Sequence, residues 1–159
     1  MGSEMCIRDR LQVEHPITEM TTGIDLVRKQ LEIAAGHPLS LEQEDIIPRG
    51  HAIECRIYAE DPEAGFFPSP GPVLLLREPS GPGIRNDCGI YRGFEVPVEY
   101  DPILIKLIVA ADDREAARRR MIRALETYVI LGIKTTIPFL IDLLNSEAFI
   151  AGHTDTGFI

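Results

Sequence analysis

The sequence predicts an α+β fold: an antiparallel sheet packed by two or three helices, preceded by one strand and one helix. Three observations carry that expectation. Short apolar or alternating runs fill residues 51–111 with turn signals between them and no helical stretch, and strands that follow one another without helices pair antiparallel. Two later stretches repeat apolar residues at helical spacing. An acidic, proline-bearing segment ending near Pro48 separates all of this from what precedes it. At 159 residues the chain is the size of one domain, or of one domain and part of another.

The elements follow in order. "LQVEHP" alternates, with Leu11 and Val13 on one face and Gln12 and Glu14 on the other, which predicts a strand ending at Pro16. "TTGIDLVRKQLEIAAG" predicts a helix: Thr22 and Asp25 resemble a capping box, Gly36 supplies the stop, and Ile24, Val27, Leu31 and Ala34 share a core-facing side. "GHAIECRIYAED" is a strand with Ala52, Glu54, Arg56 and Tyr58 opposite His51, Ile53, Cys55 and Ile57. The loop "DPEAGFFPSPGP" places Phe66 and Phe67 as an apolar plug, and "VLLLRE", "GIRND" and "ILIKLIVAA" are further strands. "DDREAARRRMIRALETY" predicts a helix capped by Asp112 and Glu115. Its core face is Ala117, Met121, Ala124, Leu125 and Tyr128, and Arg118, Arg119, Arg120 and Arg123 lie on the wetted side. "VILGIK" reads as one more strand, and "TTIPFLIDLLNSEAF" as a last helix begun by Thr136 with Pro138 in its first turn.

Composition narrows the function. A net charge of −9 argues against bulk binding to nucleic acid or anionic membrane. Lys106 interrupts the longest apolar run, far short of the roughly 20 residues that cross a bilayer. Three cysteines, Cys6, Cys55 and Cys88, leave one over in any disulfide scheme and suit a reduced compartment. The expectation is a soluble protein of the cytoplasm, or of the mitochondrial matrix in a eukaryote. His37, His51 and His153 are scattered without metal-site spacing, and "GPGIR" reads as a turn because it lacks the Lys-Ser/Thr ending of a phosphate loop. Glu14 and Arg56 are the pair that could carry chemistry. A buried arginine needs an anionic partner and a cleft carboxylate needs a cation. From pattern alone, two unconnected surface charges are the favoured reading, since polar strand faces are common.

"RLQVEHPITEMTTGIDLVRKQLEIAAGHPLS", "RGHAIECRIYAEDPEAGFFPSPG", "GIRNDCGIYRGFEVPVEYDPILIKLIV" and "LGIKTTIPFLIDLLN" closely resemble biotin carboxylase, the ATP-grasp component of acetyl-CoA, propionyl-CoA, methylcrotonyl-CoA and pyruvate carboxylases. The resemblance runs from Arg10 to the last residue. It implies that residues 11–48 are the end of an ATP-grasp domain and residues 49–159 the biotin carboxylase C-terminal domain, with residues 1–10 foreign to the family. It also implies ATP- and bicarbonate-dependent carboxylation of biotin on a carrier protein, as the first half-reaction of a carboxylase such as that of fatty acid biosynthesis.

The roles implied by the resemblance fall on named residues. Glu14 is the base for bicarbonate, and Arg10, Gln12 and the backbone of Val13 hold that substrate. Arg56 steadies the negative charge that develops on biotin's ureido oxygen, and Arg85 and Asp101 fall at a homodimer interface. ATP, Mg or Mn, and biotin are the implied cofactors, and the carrier protein and a carboxyltransferase component the implied partners. Cys6 and Arg8 stand at the family's metal-ligand positions, and neither suits magnesium. The isolated chain is therefore expected to be inactive. The rival expectation is a non-catalytic module that dimerises or docks the carrier protein.

Overall fold

The computed structural model describes residues 9–155, 157 and 158, so Cys6 and Arg8 lie outside the described residues. The chain divides into two compact units, one up to Arg49 and one from Gly50 onward.

In the first unit the expected strand at Leu11–Pro16 is replaced by a turn and a helix. His15 N donates to Gln12 O at 3.1 Å and Ile17 N to Glu14 O at 3.1 Å, opening α1 (His15–Thr22). Pro16 lies in the first helical turn, where a missing N–H costs nothing and the fixed φ helps. The proline expected to end a strand starts a helix.

Thr22 does not cap the next helix. It closes α1, its hydroxyl donating to Thr18 O at 2.6 Å. Gly23, at φ 75°, ends the helix in the left-handed region. Asp25 is the true N-cap of α2 (Leu26–Ala34), its Oδ1 accepting from Arg28 N at 2.8 Å. The apolar side of α2 does not face a core: none of its residues is buried, and Leu31 is 67% exposed.

The second unit is all antiparallel strands and helices, as expected. Its strands are β1 (His51–Tyr58), β2 (Glu60–Asp61), β3 (Phe67–Pro68), β4 (Gly71–Pro72), β5 (Leu75–Arg77), β6 (Ile84–Cys88), β7 (Glu95–Val96) and β8 (Ile103–Ala111). Then come α3 (Arg114–Thr127), β9 (Val129–Leu131), α4 (Ile137–Asn145) and α5 (Glu147–Ala151). The central sheet runs β1–β8–β6, and β2–β3, β4–β7 and β5–β9 form short separate ladders.

One face of this sheet is apolar. Cys55, Ile57, Ile105, Leu107 and Val109 join Met121, Ala124, Leu125 and Tyr128 in a single buried cluster, so α3 packs on the sheet through the side predicted for it. Fully burying one such side chain is worth about 1.5–3 kcal/mol.

Several local expectations are corrected here. Asp113, not Asp112, caps α3, its Oδ1 accepting from Ala116 N at 2.8 Å. Of the four arginines, only Arg119 and Arg123 are wetted. Arg118 donates to Leu144 O at 3.1 Å and Arg120 to Ala110 O. Their long apolar stems lie along the protein surface and bring each guanidinium to a backbone carbonyl of a neighbouring element.

The last helix breaks in two at Ser146, whose hydroxyl accepts from Phe149 N at 3.3 Å and so starts α5. Thr136 begins α4 as expected, but its hydroxyl accepts from Tyr58 N at 3.1 Å instead of capping the helix. "GPGIR" is a turn, with Ile84 N donating to Gly81 O at 3.2 Å. At Gly83, φ 70°, a Cβ would overlap the Ala110 carbonyl, so glycine is required there. Phe66 and Phe67 are no plug. Phe67 is exposed, and Phe66, at φ 62°, stacks edge-on against Phe139 with ring centroids 5.0 Å apart.

Candidate functional site

In the first unit the turn Gln12–His15 presents its polar groups to a cleft of about 450 Å³. Arg10, Gln12, Glu14, His15, Thr18 and Lys29 border it. Three of the predicted site residues, Arg10, Gln12 and Glu14, are therefore brought together, and Val13 does not line the cleft. Gln12 Nε2 donates to Arg10 O at 3.3 Å, which ties the two substrate-binding candidates to each other. The 3.6 Å ion pair between Arg10 and Asp9 is highly exposed, so it leaves the guanidinium easy to recruit.

Sequence reasoning missed two neighbours of this turn. His15 Nδ1 lies 3.0 Å from Gln12 O, and its Nε2 lies 3.7 Å from Glu19 Oε2. Both side chains are largely buried. The signal was present as a His–Glu pair four residues apart, the spacing that meets on a helix face, but it was hidden by the reading of the segment as a strand.

In the second unit Arg56 stands on the polar face of the sheet. The register places Arg56, Lys106 and Asp87 in one row across β1, β8 and β6. Two cations directly opposite each other repel, and each has an acid beside it. Arg56 Nε lies 3.4 Å from Glu54 Oε1, and Lys106 Nζ lies 3.1 Å from Asp87 Oδ2. Burial works against the Arg56 charge, but hydrogen bonds with Tyr58 and Glu54 outweigh it and hold the guanidinium above its usual range. Arg56 also borders a second cavity of about 630 Å³, walled by Phe66, Phe139, Phe149 and Phe158.

Arg85 grips Asp87 with two hydrogen bonds, 2.7 and 3.0 Å, the paired geometry that guanidinium and carboxylate favour. Asp101 is exposed and accepts from Ile103 N at 2.9 Å, fixing the start of β8. Neither thiol in this unit is activated. Burial, with help from Glu54, pushes Cys55 up to about 12, and burial also raises Cys88. Among the described residues no group of three or more His, Cys, Asp or Glu side chains is placed to hold a metal ion.

Residues 54–159 match the family profile of the biotin carboxylase C-terminal domain. The chain belongs to the biotin carboxylase family. Residues 4–42 match the ATP-binding domain of the carbamoyl-phosphate synthase large chain. The chain is 53% identical to the biotin carboxylase of Haemophilus influenzae over 94% of its length and 33% of that protein's. It is 47% identical to biotin carboxylase 1 of Bacillus subtilis over 98% of its length and 34% of that protein's.

Among solved structures it resembles the biotin carboxylase domain dimer of Hydrogenobacter thermophilus 2-oxoglutarate carboxylase, in complex with MgADP, ADP and bicarbonate. That match has a TM-score of 0.92 and 48% identity, covering 95% of this chain and 33% of the other. The chain thus spans about a third of the length of the biotin carboxylases it matches. No helix among the described residues is long and apolar enough to cross a membrane.

Proposed function

We propose that this chain carries the bicarbonate base and the biotin-side arginine of an ATP-dependent biotin carboxylase. The observation that supports it best is the cleft bordered by Arg10, Gln12 and Glu14, where a guanidinium, an amide and a carboxylate converge in a member of this family. Arg10 and Gln12, with the backbone of Val13, hold bicarbonate, and Glu14 takes its proton. A carboxylate can do this once the substrate is oriented beside it. Arg56 acts on the same reaction by donating to the ureido oxygen of biotin as negative charge builds there, for which a rigid, permanently charged fork is suited.

ATP and Mg or Mn belong to the reaction of the full-length enzyme. The partners are a biotin carrier protein, a carboxyltransferase component and a second copy of the chain, met through Arg85 and Asp101. The location is the cytoplasm, or a mitochondrial matrix.

The test replaces the matching segment of the Haemophilus influenzae enzyme with Leu11–Ile159 and measures carboxylation of free biotin. Glu14→Gln abolishes turnover. Arg56→Lys lowers turnover about 10²–10³-fold, the cost of one well-placed oxyanion donor, while ATP binding and melting temperature hold. Near-normal carboxylation by either variant overturns its assigned role.

The second reading, a non-catalytic dimerisation or docking module, is favoured by the continuous core that the unit from Gly50 onward builds for itself. Under it, the chain alone binds carrier protein or itself and hydrolyses no ATP with bicarbonate and biotin.

A further inference from the structure

We propose that His15 is a positioning residue for Glu14, acting through the Gln12 carbonyl and packed against Glu19. The proposal rests on the reading of Glu14 as the base. A carbonyl oxygen only accepts, so the 3.0 Å contact between His15 Nδ1 and Gln12 O requires the proton on Nδ1, which fixes the imidazole tautomer. The same carbonyl also accepts from His15 N at 3.1 Å. Gln12 and His15 are therefore joined twice, and Glu14 lies in the short turn that this double link closes.

The other ring nitrogen packs against Glu19 without a hydrogen bond. Nε2 faces Glu19 Oε2 at 3.7 Å, with the two side chains only 12% and 9% exposed. The second oxygen of Glu19 accepts from Leu26 N at 2.7 Å. A relay of contacts thus runs from the start of α2 past Glu19 and the His15 ring to Gln12 O. Glu14 itself has φ −81° and ψ 10°, and its carboxylate does not cap the helix that it precedes. That backbone is the ordinary third position of the type I turn closed by His15 N and Gln12 O. The Nδ1 bond adds a side-chain link to that turn, and a base displaced by about 1 Å can lose about 10²-fold in rate.

Two substitutions separate this role from a plain staple between α1 and α2. His15→Asn puts an amide N–H near the Nδ1 position and keeps the bond to Gln12 O, while giving up Glu19. His15→Gln reaches toward Glu19 and gives up Gln12 O. In the chimera described above, His15→Gln is expected to lower kcat about 10²-fold, with KM for ATP and melting temperature unchanged. His15→Asn is expected to keep most of the turnover. Equal losses in both that track a fall in melting temperature overturn the proposal, and so does full activity in both.

Nitrogen NMR of the His15 ring in the chain itself, independent of turnover, is expected to show a protonated, slowly exchanging Nδ1. A ring protonated at Nε2 alone overturns the relay whatever the activity. Retained turnover in Glu14→Gln instead sinks the base assignment, and the ring spectrum distinguishes that failure from failure of the His15 link.

Discussion

The unit from Gly50 onward and the unit before it hold their apolar residues in opposite ways. In the later unit Ile57, Leu107, Ile108, Met121 and Leu125 are almost wholly inaccessible, and the strands that carry them pair in register along their length. In the earlier one Pro16 is the only described residue that is buried. What orders it is local: an Asp25 cap, a Gly23 stop, the His15–Glu19 contact and the surface pairs of Glu32 with Arg28 and Lys29. Hydrogen bonds and exposed ion pairs of this sort contribute about 1 kcal/mol or less each. The difference teaches that the polar turn proposed for catalysis rests on the unit with the smaller apolar reserve.

Hydrogen exchange should expose the contrast most strongly. Amides of Ile103–Ala110 should exchange only through global unfolding, and those of α2 through local opening, orders of magnitude faster. Equal protection in the two regions would break the comparison. Next in size, Leu107→Ala should cost about 2–5 kcal/mol, read as a lower denaturant midpoint for the later unit.

Asp87→Asn should cost about 2 kcal/mol at neutral pH, because it removes charge-assisted bonds to Arg85 and Lys106. Burial opposes the Asp87 charge, but Arg85 and Lys106 outweigh it and hold the carboxyl below its ordinary value of 3.8. The stabilisation from a depressed acid is complete above the unfolded value and fades as pH falls through the folded one. The gap between the two proteins should therefore begin to narrow below about pH 4 and close as pH falls through the folded value, and a gap that does not narrow with falling pH would refute the pairing. The smallest effect is expected for Leu31→Ala, within about 0.5 kcal/mol. A larger loss would mean that the α2 face is covered in solution.

The legibility of the sequence divides along the same line. β1, β6, β8 and the core face of α3 could be read because burial forces a pattern into the chain: Cys55 and Ile57 alternate with polar neighbours on β1, and β8, with Leu104, Ile105, Leu107, Ile108 and Val109 all buried, is a nearly unbroken apolar run. Around "LQVEHP" Pro16 is the only buried residue, too little to impose a period. Leu11 and Val13 alternated by chance, and the informative residue was Pro16, whose place in a first helical turn looks the same in sequence as its place after a strand. Pattern singled out Glu14 and Arg56 without giving them a site, and resemblance supplied their roles. His15 and Glu19 are adjacent only once α1 exists. Arg118 and Arg120 reach carbonyls on elements distant in the chain, which no local rule anticipates.

The β1–β8 ladder has a consequence for how the protein is made. His51 pairs with Ala111 and Tyr58 with Ile103, so every bond of the central ladder waits for a long intervening segment to be synthesised. During translation β1 leaves the ribosome with an open edge and no partner, in the condition that invites pairing with other chains. Glu54 and Arg56, on alternate positions of that strand, keep one of its faces charged throughout the wait. Charges of that kind on an unpaired strand discourage pairing with other chains.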